Sequence, residues 1–86
     1  MKLIDLFDDS TEMRVIQFLF DNPTFEFTRK EIKTEAKLEN SVNRVVDKFI
    51  EIGLIIPLEG EKFRANRGNT IYMKLARLEL ELEKRG

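Results

Sequence analysis

Leu38-Glu39-Asn40-Ser41-Val42-Asn43-Arg44-Val45-Val46-Asp47-Lys48-Phe49-Ile50-Glu51-Ile52-Gly53-Leu54-Ile55 holds a helical stripe, a stop and the start of a strand. Val42, Val45, Val46, Phe49 and Ile52 recur at helical spacing, so a helix over about 40–52 would bury them together. Asn40, Ser41, Asn43, Arg44, Asp47 and Lys48 are left on its outer side. Gly53 tolerates positive φ and closes the helix. Leu54-Ile55-Ile56-Pro57-Leu58 then reads as a strand, with Pro57 putting it at an edge or strand end. Glu59-Gly60-Glu61 is a turn, and Lys62-Phe63-Arg64-Ala65 returns with Phe63 inward, which completes a β-hairpin.

Upstream, Thr28 with Glu31 three residues later forms a capping box. A helix from Arg29 to about Lys37 follows, burying Ile32 and Ala36, and breaks near 37–40. Phe25-Glu26-Phe27 alternates like a very short strand, and Phe25, Phe27, Phe49 and Phe63 are expected in the core. Before it, Asp8-Asp9-Ser10-Thr11 offers capping oxygens to a helix that Asn22-Pro23 ends. Met13, Val15, Ile16, Phe18, Leu19 and Phe20 exceed one stripe, so this helix needs a second covered face, inside the domain or against another chain. Downstream, Asn69 or Thr70 caps a last helix over about 70–85, where Ile71, Leu75, Leu78 and Leu82 form a short heptad-like seam.

Composition bounds the chemistry. The 86 residues make one domain's worth of chain, expected to span 1–86, with net charge −1 and 36% charged residues. There is no Cys, so disulfides, thiolate nucleophiles and Cys metal sites are excluded. There is no His, which removes the commonest general base and metal ligand. Catalysis is therefore disfavoured, and neither a cofactor nor a metal is expected. No apolar run approaches a membrane span, and the first seven residues, broken by Lys2 and Asp5, do not read as a signal peptide, so a cytoplasmic location is the expectation. So small a domain without disulfides gains from a partner chain.

The charge is unevenly laid out. Residues 1–27 carry −4, 28–48 carry +2, 49–61 carry −3, 62–77 carry +5 and the last nine −1. Two basic stretches become one basic face only if folding joins them; otherwise they are scattered surface charge.

Three helices and then a hairpin, with a short connection between helices two and three, is the order of a winged helix-turn-helix. The Phe27-Thr28-Arg29-Lys30-Glu31-Ile32 segment resembles the start of that motif, and 38–55 resembles the recognition helix and start of the wing in MarR- and ArsR-like regulators. Phe18-Leu19-Phe20-Asp21-Asn22-Pro23, Arg64-Ala65-Asn66 and Ile71-Tyr72-Met73-Lys74-Leu75 are similar to pieces of archaeal members. The resemblance implies a mainly α chain with a small β-hairpin (α+β). It would have a three-helix core, a wing over 54–65, a helix-turn-helix over about 28–52 and a C-terminal dimerisation helix. Two positions depart from the pattern. Lys37 stands where Gly is usual, at a steric cost if its backbone is left-handed, and Lys33 stands where a small Ala is common.

By that resemblance the chain is a homodimeric, sequence-specific regulator on double-stranded DNA, at a palindromic site. The major groove admits a helix and shows distinguishable base edges, so Arg44 is suited to guanine and Asn40 or Asn43 to adenine. Ser41 and Lys48 suit phosphate, as do Thr28, Arg29 and Lys30 at a helix N-terminus; Lys62 and Arg64 are the wing's contacts. Each has a plainer reading. Asn40, Ser41 and Thr28 cap helices, Arg44 pairs with an acid such as Glu51, and Arg29, Lys30, Lys62 and Arg64 are ordinary exposed charges. The dimer surface is expected from Leu3, Leu6, Phe7, Ile71, Leu75, Leu78 and Leu82, with Ile4 beside them. Any small-molecule effector is unknown. The rival is a winged-helix module that binds a protein instead of DNA, which pI ≈ 5.5 favours and the Asn40, Asn43, Arg44 and Lys48 set opposes.

Overall fold

Thr28 and Glu31 cap a helix as their spacing predicts. The Glu31 N–H donates to the Thr28 hydroxyl at 3.2 Å, and the Thr28 N–H donates to the Glu31 carboxylate at 3.0 Å. The computed structural model describes residues 1–38 and 42–85. These form α1 (Leu3–Leu6), α2 (Thr11–Asp21), β1 (Glu26–Phe27), α3 (Arg29–Glu35), α4 (Val42–Glu51), β2 (Ile55–Leu58), β3 (Lys62–Ala65) and α5 (Thr70–Arg85). The three strands make one antiparallel sheet in the order β1-β3-β2. The architecture is α+β, helices packed on one face of a small sheet.

The core lies between that sheet and helices α2 to α4. Val15 and Leu19 of α2, Ile32 of α3, and Val45, Val46 and Phe49 of α4 bury against Phe27, Ile55, Phe63 and Ala65 of the strands. Phe27 sits edge-on to Phe18 at 5.2 Å and stacks on Phe63 at 6.4 Å between ring centroids. Phe63 opposes Phe27 in the β1–β3 register, and β3 alternates exposed and buried as a half-covered strand must. Two apolar positions differ from expectation. Phe25 is 65% exposed, because the turn that ends α2 runs through it (its N–H donates to the Asn22 carbonyl) and strand alternation starts only at Glu26. Ile52 is 43% exposed because it lies past the end of α4, where the chain turns away.

The extra apolar face of α2 is partly answered within the chain. Leu3 of α1 is fully buried, and α1 packs on both α2 and α5. Gln17, the buried polar side chain of α2, accepts from the Ile4 N–H at 3.4 Å and donates to Asp21 at 3.0 Å. Ser10 caps α2 by accepting from the Met13 N–H. Asn69 caps α5, its Oδ1 accepting from the Tyr72 N–H at 3.0 Å.

Helices α3 and α4 end in the same way with different residues. After α4, the Leu54 N–H reaches the Phe49 carbonyl and the Gly53 N–H the Ile50 carbonyl, with Gly53 at φ +86°. After α3, the Leu38 N–H reaches the Lys33 carbonyl and the Lys37 N–H the Thr34 carbonyl, with Lys37 at φ +55°. Both are Schellman closures. A Cβ at Gly53 would stand 2.7 Å from the Asn69 Nδ2 that bridges to the Ile52 carbonyl, so a larger residue there would displace that side chain as well as take a left-handed backbone.

Lys37 takes the left-handed position without glycine's freedom. Arg14 secures it: its Nη1 donates to the Lys37 carbonyl at 2.8 Å while Asp9 grips the same guanidinium at 2.7 and 2.8 Å. The side-chain hydrogen bond from Arg14 holds the Asp9 carboxyl below its ordinary range, opposed by desolvation, with the Coulomb attraction of Arg14 adding a smaller lowering. Lys37→Gly is expected to stabilise the fold by about 0.5–1 kcal/mol, the left-handed penalty relieved less glycine's greater unfolded-state entropy. A rise in the urea midpoint at constant slope checks this; a fall would mean that Lys37 is not strained.

Candidate nucleic-acid interface

Helix α4 is anchored by one face and offers the other. Val45, Val46 and Phe49 are buried, while Asn43, Arg44, Asp47, Lys48 and Glu51 are exposed. Asn43 and Asp47 stand one turn apart, and both are engaged by Arg29 of α3. Arg29 Nη2 donates to Asp47 Oδ1 at 2.9 Å, and Nη1 donates to Asn43 Oδ1 at 3.3 Å and to the Asn43 carbonyl at 3.5 Å. Its guanidinium carbon lies 4.9 Å from the centroid of the Phe63 ring on β3. An exposed ion pair contributes about 0–1 kcal/mol and a cation–π contact at such a site about 0.5–1 kcal/mol. Their importance here is geometric: α3, α4 and β3 converge on one guanidinium.

The candidate residues separate around that junction. Thr28 is the α3 cap, half-buried, with Arg29 and Lys30 beside it. These three line a cleft whose other wall is Gly60, Glu61 and Phe63 of the hairpin, so the α3 N-terminus and the hairpin turn face one another. Arg44 and Lys30 are exposed. Lys62 and Arg64 are exposed on the side of β3 opposite Phe63. Lys48 leans toward α2 instead, 3.8 Å from Glu12. Arg64 stands across from Glu26 and Ile56 and lines a second cleft with Pro23, Thr24, Asn66 and Arg67, so it is not brought into the Arg29 junction. Asn40 and Ser41 lie outside the described residues. Among the described residues, Lys30, Arg44, Lys62 and Arg64 form no ion pair.

Arg29 is engaged within the domain by Asp47, Asn43 and Phe63, and Lys48 stands near Glu12 of α2; both cations remain partly exposed. Two residues gain a role that the sequence did not indicate. Asp47 is the counter-charge to Arg29, and Phe63 is both core and platform. Asp47's spacing from Asn43 was a visible signal; its partner on another element was not.

The apolar candidates for self-association also divide. Leu3 and Leu82 are buried within the chain, so these two side chains have no area left for a partner. Leu6, Phe7 and Ile71 are 49%, 47% and 46% exposed, and Leu75 and Leu78 are half-buried. Met73 and Leu80, on another side of α5, are exposed as well. Tyr72 anchors α5 edge-on to Phe20, and burial pushes its hydroxyl pKa upward.

Among the described residues no three acidic side chains gather as a metal cluster, and no helix is long and apolar enough to cross a membrane. No family model matches the chain, and no curated protein or solved structure matches it.

Proposed function

We propose that the chain is a winged helix-turn-helix regulator that binds double-stranded DNA without catalysis, with α4 as its recognition helix and the β2–β3 hairpin as its wing. One observation carries the reading: Arg29 gathers the α3 N-terminus, the outer face of α4 and the hairpin strand at one surface. Beside it stand Asn43 and Arg44 near the start of α4, where recognition helices meet base edges. Lys30, on the cleft beside Arg29, supplies flanking charge for phosphates, while Lys62 is exposed on the other side of the hairpin strand. The chain's net charge of −1 does not oppose this, because the acidic residues 1–27 lie chiefly on other elements.

The test is fluorescence anisotropy on the chain's own upstream DNA and on a shuffled duplex, at two salt concentrations. Tighter binding to the native sequence that falls steeply with salt is the expected result. Absence of binding at low salt would overturn it and favour a protein partner for the α4 face, which also carries Asp47 and Glu51.

The proposal includes a two-fold dimer, with recognition helices about 34 Å apart on a palindromic site. Leu6, Phe7, Ile71, Leu75 and Leu78 are the apolar residues that support it. Leu78→Lys is expected to give monomers by sedimentation and to weaken DNA binding. An unchanged sedimentation profile removes this face of α5 from the interface.

A further inference from the structure

A cleft of about 280 Å³ opens beside Arg64, at the end of β3 remote from the hairpin turn. Pro23 and Thr24 of the turn after α2 form one wall, Ile56 and Arg64 of the hairpin strands another, and Arg67 and Gly68 of the loop before α5 a third. No residue that lines it is acidic. The cleft at the α3 N-terminus includes Glu61, and the one against Arg14 includes Asp9, Asp21 and Glu35.

Two guanidiniums therefore share one concave space that contains no carboxylate. Among the described residues neither Arg64 nor Arg67 forms an ion pair. Glu26 opposes Arg64 across the β1–β3 ladder, but it makes no ion pair there and does not line the cleft. The Arg67 and Gly68 N–H groups donate to no backbone carbonyl among the described residues. The loop is nevertheless pinned on both sides of Arg67. Asn66 donates through Nδ2 to the Gly53 carbonyl at 2.8 Å and through its N–H to the Leu54 carbonyl at 2.9 Å, while the Asn69 N–H reaches the Asn66 carbonyl at 3.1 Å. Arg67 thus stands on a fixed support that does not use its side chain.

Paired guanidiniums without a counter-charge suit an anion, and their planar donor forks match phosphate oxygens. We propose that this cleft binds a phosphate group, with Arg64 and Arg67 as its cationic ligands and Thr24 as a hydroxyl donor. Pro23 and Ile56 give it an apolar wall for the organic part of a phosphomonoester. A duplex backbone offers the same group. The site is separate from the Arg29 junction and does not depend on α4 reading DNA.

The experiment is an amide NMR titration of the full chain with inorganic phosphate and with adenosine monophosphate, against chloride at equal ionic strength. The Thr24, Arg67 and Gly68 amides are expected to shift and saturate with both phosphates, while Asn43 and Arg44 of α4 stay in place. Arg67→Gln and Arg64→Gln should each weaken this binding by about fivefold or more, the loss of a charge-assisted contact at a partly solvated site. Equal shifts in chloride overturn the proposal, as do saturable shifts confined to α4 or undiminished binding in both variants. The chain's own upstream duplex separates the two sources. A salt slope lowered by about one in Arg67→Gln assigns the phosphate to the duplex backbone; an unchanged slope, with adenosine monophosphate still bound by wild type, assigns it to a free phosphomonoester. Either result supports the site. Absence of duplex binding overturns the DNA-binding reading alone, because the phosphate titration is scored without DNA.

Discussion

Phe27→Ala is expected to cost about 3–5 kcal/mol of folding stability, the range for emptying a buried phenylalanine site. Against a total of about 5–15 kcal/mol for ordinary domains, and an 86-residue chain with no disulfide, that loss removes between a fifth and all of the stability. The ring is 1% exposed and touches both layers, edge-on to Phe18 of α2 and stacked on Phe63 of β3. Its removal opens a cavity where sheet meets helices, and β1 has only one other residue to hold it to β3. Phe25→Ala is the matched control: its side chain is 65% exposed, so the change should stay within about 0.5 kcal/mol. Urea unfolding of the two variants checks both. A loss below about 1 kcal/mol for Phe27→Ala would contradict the placement of the ring between Phe18 and Phe63.

The contrast between Phe25 and Phe27 shows where sequence reasoning reaches its limit. Alternation over three residues puts both phenylalanines on one side of a strand, yet the turn after α2 consumes Phe25 and only Phe27 is paired. Local devices were legible because their causes are local. The Thr28 and Glu31 box, the Ser10 cap, the Gly53 stop and the hairpin turn each depend on a few neighbouring residues, and each forms as its residues require. Lys37 was legible only as a departure from a family pattern, and its φ of +55° agrees with that reading. The short α1 was not legible, since four residues carry no period and the burial of Leu3 depends on α2 and α5 being in place. Ile52 fits the α4 stripe by spacing alone, but the helix stops one residue too soon for it.

The candidate site follows the same division. That α4 would expose Asn43, Arg44, Asp47 and Lys48 came from the apolar stripe, because whatever the stripe does not bury must face outward. Which of these side chains stay open depends on neighbours brought from elsewhere in the chain. Arg29 is fourteen positions before Asn43 and eighteen before Asp47, and Glu12 is on a different helix from Lys48. Charge pairs between elements leave no periodic trace in a sequence, so cations that look equivalent there divide into Arg29, paired with Asp47, Lys48, near Glu12, and Arg44, without an ion pair among the described residues.

Arg44 is the open one, and its replacement is the sharpest functional test. Among the described residues it has no ion pair, whereas Arg29 is spent on Asp47 and Lys48 leans on Glu12. It sits in the first turn of α4, next to Asn43. A guanidinium there can fork onto O6 and N7 of guanine, a contact that contributes about 1–3 kcal/mol of discrimination. Arg44→Ala is therefore expected to weaken binding to the preferred duplex by about 5–150-fold and to relax preference at one base pair. The salt dependence separates this from a phosphate contact. Loss of a base contact leaves the slope of log affinity against log salt nearly unchanged, while loss of a phosphate contact lowers it by about one and weakens all sequences alike. Equal affinity of Arg44→Ala and wild type on every duplex would take Arg44 out of DNA recognition. Because Arg44 contributes nothing to the core, that result could not be attributed to an altered fold.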